Sequence, residues 1–159
     1  MADIKERART LAAYALRDAR AGDYAAASKH VRQLNDECGG QGTMIAVCGW
    51  CDTLAAQSGI SENSGPLALG WKDAETGRVH LGAEGVPDRV RWAGQLIVAR
   101  AALDKPMFDA LIASLPDDKA VIGSYVGAVL ETVAITMNGL PDAVPEAAHP
   151  PGDKRRVPG

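Results

Sequence analysis

The sequence predicts a mainly α-helical fold of about six helices. They fall in two antiparallel three-helix groups that carry marks of duplication, with a short β-hairpin between them and a disordered Pro-rich C-terminal tail. Three observations predict this. Alanine supplies 28 of the 159 residues, and alanine has the highest intrinsic helix propensity. Apolar residues recur at spacings of three and four through most of the chain. Gly, Asp and Pro interrupt those runs where helices stop and start.

The first helix is expected over 3–21. Ile4, Ala8, Leu11, Ala12, Ala15 and Ala19 form its apolar stripe, and Lys5, Glu6, Arg9, Arg17 and Arg20 lie away from it. Gly22 stops it and Asp23 caps the next helix. That second helix carries Tyr24, Ala27, Val31, Leu34 and Cys38, and Gly39 and Gly40 end it. A third runs from about Thr43 to Ser58. The Ser- and Gly-rich stretch 60–66 reads as loop, and residues 69–81 read as a short hairpin carrying Trp71. After Pro87 a fourth helix spans 88–103 with apolar residues on two sides, including Trp92. A fifth follows Asp104 and stops at Pro116, and a sixth, capped by Asp117, runs to about Asn138. The organisation expected is one helical domain over 1–138. Its halves, 2–58 and 87–138, are linked by the loop and hairpin of 59–86, and a flexible tail spans 139–159.

Each half reads as long, short, long. Ala19-Arg20-Ala21 ahead of Asp23 matches Ala99-Arg100-Ala101 ahead of Asp104, and Cys51-Asp52-Thr53-Leu54-Ala55 matches Leu130-Glu131-Thr132-Val133-Ala134. The Ala21-Gly22-Asp23-Tyr24 link is of a kind found in tetratricopeptide hairpins. The 34-residue period and Trp-Leu-Gly-Tyr signature of that repeat are absent, so the chain is not assigned to it.

Charge and composition exclude some functions. A net charge of −3 and 4% aromatic residues leave neither the basic surplus of a phosphate-backbone binder nor a stacking platform for single strands, so no nucleic-acid partner is expected. The N-terminus is charged and has no apolar signal core, and three cysteines suit reduced thiols. A cytoplasmic protein is therefore expected. Between Ala120 and Leu140 the only charge is Glu131, yet Ser124, Thr132, Thr136 and Asn138 dilute the stretch. It reads as a buried helix and not as a membrane span. The bias to Ala, Gly and Arg over Lys suggests a bacterial or phage source.

Cys48-Gly-Trp-Cys51 is the sharpest local motif. With Cys38 and His30 it could supply three thiolates and an imidazole to zinc, or a reactive thiol pair. Two cysteines on an apolar stripe fit core packing better. Gly39-Gly40-Gln41-Gly42-Thr43 lacks the Lys-Ser/Thr ending of a phosphate loop and reads as a connector. Gly123 and Gly127, four apart beside Ala120 and Ser124, form a small-residue ridge suited to close helix approach. With Glu131, Trp71 and Trp92 they are the interface candidates. The basic Lys154-Arg155-Arg156 reads as a solvated terminus.

No catalytic residue can be assigned. The expectation is a non-enzymatic helical interaction, assembly or adaptor protein, phage- or operon-encoded, with a protein partner or a second copy and no cofactor. The alternative is a small zinc-binding or thiol-based regulator using Cys38, Cys48 and Cys51.

Overall fold

Asp3 opens the first helix in the computed structural model, its carboxylate accepting from the Lys5 amide at 3.0 Å. The structure describes residues 3–59 and 85–140 in full, and the backbone of 71–72 and 79–80. The described residues are mainly helical: α1 (Ile4–Arg20), α2 (Tyr24–Ser58), α3 (Asp88–Ala101), α4 (Lys105–Ala113) and α5 (Lys119–Asn138). Strands β1 (Trp71–Lys72) and β2 (Val79–His80) pair antiparallel, Trp71 opposite His80 and Lys72 opposite Val79. The expected loop before β1, the turn between the strands and the Pro-rich tail beyond Leu140 lie outside the described residues.

The helix count differs from the six expected, because the second and third run on as α2 without a loop. Gly39 makes this possible. It sits at φ +66°, ψ −162°, a backbone region essentially closed to residues with a Cβ. The contacts show that the chain reverses there. Going down the first limb, residues 24–38, His30 meets Asp18, Glu37 meets Arg7 and Cys38 meets Ile4. Going up the second limb, residues 40–58, Gly42 lies against Ala8 and Trp50 bonds to Ala12. The first limb is therefore antiparallel to α1 and the second parallel to it. At the reversal the backbones crowd: a Cβ on Gly42 would stand 2.1 Å from the Cβ of Cys38.

The α1 stripe of Ala8, Leu11, Ala12, Ala15 and Ala19 is buried as its period requires. Small alanines let both limbs of α2 approach α1 closely. Trp50 fills the remaining space, 2% exposed, and its indole N–H donates to the Ala12 carbonyl at 3.0 Å.

The second half repeats the local devices of the first. Ala21 ends α1 at φ −81°, ψ −2° and Ala102 ends α3 at φ −82°, ψ −2°. A left-handed residue follows each, Gly22 at φ 83° and Leu103 at φ 57°. Then an aspartate caps the next helix, Asp23 accepting from Ala26 and Asp104 from Met107, both at 3.1 Å. Asp118, and not the expected Asp117, caps α5 by accepting from Ala120 and Val121. Buried Val47, Trp50, Cys51 and Leu54 of the second limb have the same spacing as buried Val126, Val129, Leu130 and Val133 of α5. These two third helices pack on each other, while α1 reaches α5 and α3 reaches α2. One apolar cluster thus runs through both halves.

Among the described residues α5 is the one helix long and apolar enough to cross a bilayer. Here 39% of its most apolar window is buried, with Val129 and Val133 sealed in the core.

Three glycines at the reversal give a test. Gly39→Ala should lose about 1–3 kcal/mol to backbone strain. Gly42→Ala should lose about 1–3 kcal/mol to overpacking against Cys38. Gly40→Ala, exposed, helical and open around its Cα, should gain about 0.5–1 kcal/mol. Urea melts of the three variants check this, and the same sign at all three positions would refute the reversal.

Candidate functional site

The zinc or thiol centre of the alternative reading is not assembled. Cys38 lies at the foot of α1, its thiol 3.8 Å from the Ile4 carbonyl. Cys48 and Cys51 stand on the second limb of α2, roughly 13 Å or more along its axis at the helical rise. His30 is near the middle of the first limb, about two turns from Cys38, and packs on Tyr14 with ring centroids 5.5 Å apart. Its Nδ1 lies 2.9 Å from Asp18 Oδ2, though out of line for a hydrogen bond. Among the described residues no three His, Cys, Asp or Glu side chains converge on a metal position.

The two thiols of the C-x-x-C are also poorly activated. Burial pushes the Cys51 thiol up to about 12, and the Cys48 and Asp52 charges add to the shift. Burial raises Cys48 as well, against the opposing pull of the Arg100 guanidinium. A reactive thiol needs the reverse, a lowered pKa with exposure.

Arg100 belongs to the clamp that ties the halves together. Its Nε and Nη2 donate to both Asp52 carboxylate oxygens at 2.9 and 3.0 Å, joining α3 to the second limb of α2. Asp52 holds the guanidinium firmly in its charged form. At the other end Arg20 and Asn138 exchange two hydrogen bonds of 3.0 Å, tying α1 to α5.

The interface candidates separate into inside and outside. Trp92 is core: its indole donates to the Leu111 carbonyl at 2.9 Å, and its ring meets Tyr125 edge-on at 5.3 Å. Trp71 is on β1, and its side chain lies outside the described residues. Glu131, Gly123 and Gly127 share the outer face of α5. Glu131 and Gly123 are exposed, Gly127 is half-buried, and a Cβ on either glycine would meet nothing within 4 Å. Intrachain packing among the described residues therefore does not use the ridge.

A second surface went unrecognised in the sequence. Between α1, the second limb of α2 and the end of α5 lies an open groove of about 710 Å³. Ala12, Ala13 and Gly49 form its floor, with Leu16 and Ile45 at the sides. Arg9, Arg17 and Arg20 line it, and among the described residues no carboxylate does. Their spacing along α1, away from the apolar stripe, is the signal the sequence offers. A smaller cleft of about 400 Å³ adjoins the α3–α4 corner, beside exposed Leu103 and Met107. Its charges are already balanced, Arg100 by Asp52 and Lys105 by Asp109.

Thiol chemistry gives the test of this arrangement. Iodoacetamide at pH 8 should leave Cys51 unmodified in the folded protein and alkylate it promptly in urea, as mass spectrometry of tryptic peptides would show. Equal rates in both states would contradict the burial. Comparison with known protein families, curated proteins and solved structures gave no match.

Proposed function

We propose that this is a non-enzymatic, cytoplasmic helical assembly protein that self-associates through the outer face of α5. The observation that carries the reading is the open position of Gly123 and Gly127. A glycine inside a helix costs about 1 kcal/mol relative to alanine. Two of them on one outward face, with no neighbour among the described residues that a methyl would touch, serve no packing there. Close approach of another helix gives them a purpose.

The occupant that fits is a second copy. A twofold interface requires a self-complementary patch. The antiparallel register that sets Gly123 against the partner's Gly127 also sets Lys119 toward the partner's Glu131. Both charged residues are exposed, and neither has an ion-pair partner among the described residues. Ala120 and Ser124 keep the patch low, and Ile135, 58% exposed, adds apolar area at one end.

Native mass spectrometry of the full chain should show a dimer. Gly127→Leu should convert it to monomer with no loss of melting temperature, since leucine is the better helix former. Glu131→Lys should weaken the dimer and Lys119→Glu on top of it should restore it. A wild-type chain that stays monomeric at tens of micromolar would overturn the reading.

A further inference from the structure

We infer that the groove beside α1 is a docking site for an acidic amphipathic helix of another protein. The α5 face and this groove are different surfaces, so the inference stands apart from self-association.

Charge complementarity fixes the sign of the occupant. Arg9, Arg17 and Arg20 line the groove, and among the described residues no acid does. Arg9 has no partner among the described residues. Arg20 is held by Asn138, a neutral amide, at 3.0 Å. Arg17 lies 5.0 Å over the Tyr14 ring and shares Asp18, 3.2 Å away, with His30. The chain as a whole carries −3, so the groove is a local positive strip on an acidic protein. Such a strip focuses the field on an approaching anion.

Shape and charge spacing fix the class. From Arg9 to Arg20 the helical rise gives about 16 Å, three turns of helix. The floor of Ala12, Ala13 and Gly49 is low enough for a helix backbone to approach to about 8 Å. The two walls, α1 and the second limb of α2, run parallel, so a helix laid between them completes a three-helix layer. A ligand with one anionic head and an apolar tail would need its cations gathered at one end. Here they are spread along the whole length, which suits carboxylates repeated along a helix. The occupant would set apolar side chains on the Leu16 and Ile45 walls and Asp or Glu toward the arginines.

The test uses the full chain and three probes. The first is a fluorescein-labelled synthetic helix of about 14 residues with a Leu stripe flanked by Glu. The second is the same peptide with Lys at every Glu, and the third is sodium myristate. Fluorescence anisotropy should show the Glu peptide binding at least about tenfold tighter than the Lys peptide, with an affinity that falls as salt rises. Gly49→Leu fills the groove at a helical position with nothing within 4 Å. It should weaken the Glu peptide about tenfold or more while the melting temperature holds. Arg9→Glu with Arg17→Glu should do the same, and Lys105→Glu on α4 should leave binding unchanged. Gly127→Leu should bind the Glu peptide as wild type does, which separates this result from any failure of self-association. Equal binding of both peptides, no binding of the Glu peptide, or indifference to Gly49→Leu would overturn the inference. So would binding of myristate alone, which would assign the groove to a lipid tail.

Discussion

The backbone reversal at Gly39 is the constraint on which the rest of the structure depends. A straight helix of the 35 residues in α2 would extend about 52 Å, far past the 17 residues of α1. Its second limb would then have no layer to join. Placing one residue at φ +66°, ψ −162° folds the element back without a loop, so α1 is clasped from two sides. The close approach at Gly42 and the alanine stripe of α1 follow from that geometry. Trp50 fixes the depth of the clasp through its bond to the Ala12 carbonyl.

The second limb of α2 can then do what α5 does in the other half. Each is the third helix of its group, each buries residues at the same spacing, and the two meet at the centre. The first helix of each group reaches across to the other's third helix, by Arg100 to Asp52 and by Arg20 to Asn138. This exchange makes a shared core from two small helical groups. It also leaves edges. The second limb and α5 are covered on their inner faces only, and α1 has a side that neither limb reaches.

How far the sequence was readable follows from which forces are local. Helix existence was legible because alanine content, three-and-four spacing and aspartate caps all act within a few residues. Asp23 caps as expected, and Asp3 and Asp104, not read as caps in the sequence, do the same. The reversal was half legible: Gly39-Gly40 marked a break, but nothing in the sequence distinguishes a loop from a hairpin without one. Asp117 and Asp118 are adjacent and chemically equivalent, so only the backbone angle decides that Asp118 caps α5. The site residues depended on long-range placement. Trp92 went inward because the Leu111 carbonyl was within reach of its indole, and the second limb turned Cys51 into the core and left Cys48 half-buried. Leu103 continued the α3 apolar stripe on paper, yet it occupies the left-handed turn and stands 64% exposed. The arginine file of α1 was visible as spacing, while the uncharged wall facing it belongs to residues some forty positions later.

Half of the charged residues on the described helices pair with one another: Arg7 with Glu37, Arg17 with Asp18, Arg91 with Asp88, Arg100 with Asp52 and Lys105 with Asp109. Exposed pairs of this kind contribute at most about 1 kcal/mol each, so they tune the fold and do not define it. Two groups bear on association: the arginines of a groove that no acid lines among the described residues, and the glycines of a helix face with open space around them there. Arg20 serves the chain itself through Asn138 and Arg17 through Asp18, whereas Arg9 has no partner among the described residues and exposed helical glycines cost conformational entropy. Both sets lie on the edges that the exchange of first and third helices leaves uncovered. In the two associations proposed above, the glycines would gain close helix contact and the arginines opposed carboxylates.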